Sequence, residues 1–256
     1  PASCVGFSMA CSAAFGKAFV YGGISCNNSL ENGLKNYFYE FDIDKKKWNE
    51  LQPRSTYQPT TRYGHSLSAH NKELILFGGV SEFKTKLKDR CYYSELSVYD
   101  IQRNEWKMLE TFSSDIRPRR NHAACLYQSF FVIYGGQNVA EDIIGEIIVL
   151  NLDSKKPRWK TFQAPARVNH QLIYIPNLSG GNKEYLYSFG GLKYKANLQE
   201  GEISNDIVLF PITLEDNHLV LRDSSVCHTN FLPRDSCIFC RFDEGILIMG
   251  GFNDKK

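Results

Sequence analysis

Leu74-Ile75-Leu76-Phe77-Gly78-Gly79 is a run of four buried-strand residues that ends in two glycines. The chain repeats it at Ala18-Phe19-Val20-Tyr21-Gly22-Gly23, Phe131-Val132-Ile133-Tyr134-Gly135-Gly136, Leu186-Tyr187-Ser188-Phe189-Gly190-Gly191 and Leu247-Ile248-Met249-Gly250-Gly251. From Gly22 through Gly78, Gly135 and Gly190 to Gly250 the steps are 56, 57, 55 and 60 residues. A period of that length is the mark of a repeat architecture, in which each unit buries its apolar face against its neighbours. We therefore expect a single repeating domain over residues 1–256.

Around each doublet the pattern predicts four short antiparallel strands. In the first unit these are Val5 to Phe15, Lys17 to Gly23, Tyr37 to Ile43 and a fourth carrying Trp48. In the second they are Tyr63 to His70, Glu73 to Gly79, Tyr93 to Ile101 and Glu105 to Leu109. The third unit spans Asn121 to Phe162. The fourth has a longer first turn, whose Gly180-Gly181 follows no apolar strand, and its last strand, His218 to Leu221, lacks a Trp. The fifth supplies only Ser236 to Phe242 and Gly245 to Gly251. Trp stands six residues after Asp in both Asp42…Trp48 and Asp100…Trp106. Burying such a ring stabilises by about 2–3 kcal/mol, so Trp48, Trp106 and Trp159 are expected in the core, each covering the next sheet.

Four strands per unit, a glycine doublet closing the second, an aromatic late in the third and a Trp in the fourth resemble the kelch repeat. The resemblance covers nearly the whole chain. It implies an all-β fold, a β-propeller of four-stranded antiparallel blades with four complete units and half of a fifth. An unfinished last blade would make these residues part of a six- or seven-bladed ring, with open edges that invite self-association. A second repeated element precedes the doublets: Arg62-Tyr63-Gly64-His65, Arg119-Arg120-Asn121-His122, Arg167-Val168-Asn169-His170 and, without the His, Arg234-Asp235-Ser236-Cys237. This opening looks like the long-repeat kelch group of F-box-type, acyl-CoA-binding-type and kelch-phosphatase proteins.

A net charge of +2 with 23% charged residues nominates no nucleic-acid or membrane partner. No apolar run approaches the ~18 residues that span a bilayer. The eight cysteines do not recur within the repeats and are read as free buried thiols of a cytoplasmic protein, although sequons at Asn27 and Asn177 keep a secreted reading open. His65, His122 and His170 share one repeat position and are read as serving the repeat, since neighbouring copies would stand too far apart for ~2 Å metal bonds. Cys237-x-x-Cys240 has zinc spacing but lies in a strand, where i and i+3 face opposite ways. No metal, cofactor or catalytic constellation is expected, and the chain is read as a non-enzyme.

The resemblance implies a protein-interaction module that uses the loops at one face of the propeller. Arg62, Arg119, Arg167 and Arg234 would gather at its mouth, with Arg120, Tyr63, Asn121, Asn169, Asn138 and Tyr194 beside them. Guanidinium forks suit carboxylates or phosphates, so the expected partner is a protein or peptide that is acidic or phosphorylated. The competing reading is that each Arg pairs with an acid of its own or the next blade. Variable loops follow the doublets, one of them basic at Lys84, Lys86, Lys88 and Arg90; without an aromatic platform it is read as solvated. The alternative function is a regulatory propeller within a larger enzyme such as a kelch-type phosphatase.

Overall fold

The computed structural model describes residues 4–25, 37–82, 90–112, 116–176, 183–194, 201–242 and 245–253. The basic run at Lys84, Lys86 and Lys88, the sequons at Asn27 and Asn177, and Gly180-Gly181 lie outside them. The chain packs as two compact units, Pro1–Arg120 and Asn121–Lys256.

The first unit holds two four-stranded antiparallel sheets. Strands Ser8–Ser12, Lys17–Tyr21, Phe38–Asp42 and Lys47–Glu50 form one in sequence order, and Ser66–His70, Glu73–Phe77, Leu96–Asp100 and Glu105–Met108 form the other. The predicted long first strand is shorter than expected: after Ser12 the chain turns through a 3-10 segment, Ala13–Phe15, closed by left-handed Gly16. The second unit holds the third sheet, Ala123–Tyr127, Phe130–Tyr134, Glu146–Asn151 and Lys160–Gln163. Its fourth sheet has Gln171–Tyr174, Glu184–Phe189, Ile207–Glu215 and His218–Leu221, with Ser225–Cys227 also paired to the third strand. Ile238–Phe242 and Gly245–Met249 follow as a two-stranded start of a fifth.

Phe130–Tyr134 is buried throughout, and the second strands of the other four-stranded sheets are buried over their last four residues, because each lies in the middle of its sheet with apolar surface against both faces. Within each unit the cores lie between successive sheets. In the first unit Phe19, Tyr21 and Phe38 of the first sheet pack with Leu74, Leu76, Tyr99 and Trp106 of the second. In the second unit Tyr134, Ile147 and Val149 pack with Leu186, Val208 and Phe210, while Phe189 meets Phe239 of the fifth pair.

The Trp reading needs two corrections. Trp106, 3% exposed, has ring centroids 5.3 Å from Tyr21 and 5.4 Å from Phe38, so it covers the preceding sheet rather than the following one. Trp48 is 39% exposed, its ring centroid 5.0 Å from that of Phe41 in its own sheet. Trp159 is buried as expected.

Candidate interaction face

Successive repeats are joined by a main-chain device. The second glycine of each doublet donates its N–H to the carbonyl of the Arg that opens the next repeat: Gly23 to Arg62 (2.9 Å), and Gly79 to Arg119, Gly136 to Arg167 and Gly191 to Arg234 (each 2.8 Å). The first glycine must also lack a side chain. A Cβ on Gly22, Gly135 or Gly190 would stand 2.3–2.4 Å from that same carbonyl oxygen, and each has φ between +65° and +72°. Glycine is the residue that takes this backbone at no steric cost.

Two residues after the Arg position, which Cys4 fills in the first repeat, the chain is left-handed at Gly6, Gly64, Asn121, Asn169 and Ser236. These positions link to one another: Gly64 N–H to Gly6 O in the first unit, then Asn169 N–H to Asn121 O and Ser236 N–H to Asn169 O in the second, all at 3.0 Å. Asn is among the few non-glycine residues that tolerate this conformation. Asn121 and Asn169 thus have a backbone task, and Asn169 further donates to Asp235 (3.2 Å).

The guanidiniums are inside the protein. Arg62 and Arg119 are 0% exposed and Arg167 is 2% exposed, so the expected open row of Arg forks is not how these three are used. Arg62 donates to the carbonyls of Thr60 (2.8 Å) and Gly78 (3.1 Å), pairs with the Glu95 carboxylate and lies 3.9 Å over the Tyr93 ring. Arg119 repeats the first of these bonds, to Arg117 O at 3.2 Å. Arg167 donates to Gly190 O (2.8 Å) and approaches Asp206 at 3.7 Å. The reading that each Arg pairs with an acid of its own repeat is the one this geometry carries for Arg62 and Arg167. A buried cation requires such a partner. The sequence signal was available: an acid stands just before the third strand at Glu95 and Asp206, and opens it at Glu146.

Asp206 lies in a network of hydrogen bonds. Burial pushes its carboxyl up, but hydrogen bonds from Lys193 (2.8 Å), His228 (2.7 Å) and Ser204 (3.2 Å) hold it down at about 2. His65 and His170 have the opposite environment. Each lies edge-on to the Tyr that precedes the neighbouring doublet, Tyr21 at 5.6 Å and Tyr134 at 4.4 Å between ring centres. Burial, reinforced by the nearby Arg62 or Arg167, lowers both imidazoles to about 3. They are neutral spacers at the joints. At the last joint the Tyr–His pair is replaced by Phe189 and Cys237, whose Sγ takes the place beside Gly190.

Beyond the doublets the chain does not run into plain loops. Short ribbons emerge: Cys4–Val5 with Ile24–Ser25, Val80–Glu82 with Arg90–Tyr92, and Leu192–Tyr194 with Gly201–Ile203, while Gln137 bridges Ile143 in the third repeat. Sequence reading missed them because two- or three-residue strands of mixed polarity show no period. Tyr63 bonds Val80 in both directions at 3.0 Å, tying one ribbon to the Arg opening. Arg120 lies half-buried with its guanidinium 5.7 Å over Tyr92 of that ribbon. Asn138 ties its own turn, its Oδ1 accepting from the amides of Ala140 and Asp142 (both 2.9 Å). Arg234 is half-buried, and Tyr194 pairs with Gly201 at the ribbon.

Among the described residues no three His, Cys, Asp or Glu side chains are grouped to hold a metal ion, and no helix is long and apolar enough to cross a membrane. Cys11, Cys91, Cys125, Cys227, Cys237 and Cys240 are free thiols, but Cys11, Cys91 and Cys227 are exposed, against the expectation of burial.

Comparison with known proteins agrees with this architecture. The KLHDC2/KLHL20/DRC7 Kelch-repeats domain matches residues 1–177. Protein ral2 of Schizosaccharomyces pombe is 28% identical over 66% of this chain and 30% of its own length. Ras guanine nucleotide exchange factor F of Dictyostelium discoideum is 25% identical over 79% of this chain and 18% of that protein, and Host cell factor of Drosophila melanogaster 26% identical over 68% and 12%. The chain therefore spans less than a third of the length of these relatives. The solved structure of YjhT shares the fold, with a TM-score of 0.70 at 15% identity over 93% of this chain and 75% of its own. Joined repeat to repeat by its glycine doublets, the protein belongs to the kelch-repeat family of β-propellers.

Proposed function

We propose that this kelch domain is a non-enzymatic module that binds a partner protein or peptide at the end of the sheets from which the ribbons emerge. The observation that supports it is the contrast between an invariant frame and what it carries. The same glycine-to-Arg bond and the same buried guanidinium recur, while the segments that follow the doublets differ in length, charge and conformation. Rigid scaffolds with variable loops are the usual arrangement for recognition. In this reading Arg62, Arg119 and Arg167 hold the frame, and contact falls to Arg120, Arg234, Tyr63, Asn138, Tyr194 and the ribbon residue Arg90. Their basic character suits an acidic or phosphorylated segment.

The test is capture of partners by the chain and by its Arg120→Glu/Arg234→Glu variant, with phosphatase-treated lysate as a second arm. The expected result is loss of the captured partner in the variant with the melting temperature held to within a few degrees. Unaltered capture overturns the assignment of this face. A second reading, that the domain regulates a catalytic region elsewhere in a longer protein, is favoured by the names of two relatives, Ras guanine nucleotide exchange factor F and Rho GTPase-activating protein gacHH. Binding of a small GTPase or its regulator in the same capture experiment would select it.

A further inference from the structure

The ribbon of the second repeat is built in lanes. Tyr63 bonds Val80 on one side, and on the other Val80–Glu82 pairs with Arg90–Tyr92, Tyr92 facing Val80 and Cys91 facing Ser81. Among the described residues no strand or bridge pairs with the far side of Arg90–Tyr92. Such an edge offers main-chain donors and acceptors to an extended chain that reaches it. The frame holds it at its base: Tyr93 N–H donates to Gly79 O (3.0 Å), the Tyr93 carbonyl accepts from Arg119 N–H (3.1 Å), and the Tyr93 hydroxyl bonds Ser81 Oγ (2.8 Å).

Charge selects what the edge can take. Side chains alternate along a strand, so Arg90 and Tyr92 share one face and Cys91 points to the other. Arg90 and Cys91 are both exposed. The Arg120 guanidinium, 5.7 Å over the Tyr92 ring, brings a second cation to the face of Arg90. The ribbon of the fourth repeat has the same plan, with Leu192 bridged to Val168 and Leu192–Tyr194 paired to Gly201–Ile203. Its outer strand carries Glu202, and Asp235 follows Arg234 where Arg120 follows Arg119. Two edges of one plan therefore have opposite charge.

We infer that the edge of Arg90–Tyr92 takes up an extended acidic segment of a partner protein as a further strand, with two acidic side chains, two residues apart, facing Arg90 and Arg120. The inference rests on the ribbon-face reading above and gives that face a binding mode. Main-chain pairing supplies the hold and alternate side chains the selection. Neighbouring strands lie about 5 Å apart, within reach of an Arg side chain. An acid-any-acid spacing is required, because adjacent acids would turn one carboxylate to the side of Cys91. The acidic edge of the fourth repeat repels the same segment.

Cys91 makes the register readable. The full 256-residue chain is incubated with the peptides Gly-Gly-Glu-Cys-Glu-Gly-Gly and Gly-Gly-Glu-Glu-Cys-Gly-Gly, each supplied as its mixed disulfide with glutathione. The Cys91 thiolate attacks the peptide sulfur and the glutathione thiolate leaves. Rates at Cys91 and at two other exposed thiols, Cys11 and Cys227, are read by mass mapping. The expected outcome is that Glu-Cys-Glu labels Cys91 about fivefold or more faster than Glu-Glu-Cys or a Lys-Cys-Lys counterpart does, and faster than it labels Cys11 or Cys227. Arg90→Gln and Arg120→Gln should each remove most of that preference and leave the rates at Cys11 and Cys227 unchanged, and N-methylation of every peptide residue should abolish it. Equal rates for the two acidic peptides, or a preference that survives N-methylation, overturn strand pairing and leave the face as a contact guided by charge alone. No preference of either acidic peptide for Cys91 overturns the ribbon-face reading as well. A chain that sediments as a dimer with Cys91 unreactive places a second copy on the edge and overturns the proposal.

Discussion

The amide of Gly136 donates to the carbonyl of Arg167 at 2.8 Å, while a Cβ on its neighbour Gly135 would lie 2.3 Å from the same oxygen. Two consecutive glycines are required by one carbonyl, the first for space and the second for its reach. Gly135→Ala is expected to destabilise by the cost of a left-handed alanine, about 1–2 kcal/mol, plus about 1–3 kcal/mol for the forced displacement. Gly250→Ala, with nothing within 4 Å of the added atom, should cost only the former. Denaturant titration of the two variants checks the difference; equal losses would remove the carbonyl from the explanation.

The two Trp residues that open the same strand position separate packing from sequence pattern. Trp106→Ala is expected to cost about 3–5 kcal/mol, as large buried aromatics do. Trp48→Ala should cost about 1 kcal/mol or less, because its ring lies against Phe41 of its own sheet and is 39% exposed. Chemical denaturation of both variants reads this directly, and equal costs would contradict the one-sided contact.

Acid stability should report on the joint histidines. Unfolded, each imidazole takes up a proton below about 6.5; folded, His65 and His170 remain neutral to about 3. The stability they permit is complete above pH 6.5 and is lost as pH falls from there toward 3, by about 1.4 kcal/mol per pH unit for each histidine. Replacing one by the residue used at the last joint, His170→Cys, should make the melting temperature fall less steeply between pH 6.5 and 4. An unchanged slope would mean that the imidazole protonates in the folded state.

Arg62 and Arg167 occupy the same position but leave different debts when removed. Arg62→Met strands Glu95, whose ion pair among the described residues is with Arg62, and a loss of about 3–5 kcal/mol is expected for breaking such a buried contact. Arg167→Met leaves Asp206 with Lys193 and His228, so the loss should be smaller. Thermal unfolding of the two variants at pH 7 tests the order, and the reverse order would assign the Asp206 network a lesser role.

The sheets and their order were legible because the doublet follows an apolar strand five times in register, a coincidence of local pattern and long period. The identity of the Arg position was legible too, but its burial was not. Whether a guanidinium faces solvent depends on a partner thirty or more residues away, Glu95 for Arg62, and on the Tyr93 ring that covers it. The left-handed role of Asn121 and Asn169 could have been read from their alignment with Gly6 and Gly64. The ribbons could not, since Val80–Glu82 and Leu192–Tyr194 are too short to carry a period. The register slip that leaves Asp223 and Ser224 opposite Phe210 was hidden by the predicted strand at His218 to Leu221, which is present but lies further along Ile207–Glu215 than the fourth strand does along the third in the second sheet.

The fastening between repeats is made by peptide groups, with the Arg contributing its carbonyl to the neighbour and its side chain to its own sheet. A peptide carbonyl is present whatever residue stands there, so the seam places a sequence demand on only one of its two sides. Repeats linked in this way can diverge in strand length, loop and even in the Trp plug, as the fourth has done, and remain mutually compatible as long as the glycines stay. Diversity of surface and constancy of assembly are written in different parts of each repeat, which lets one be altered by mutation without renegotiating the other.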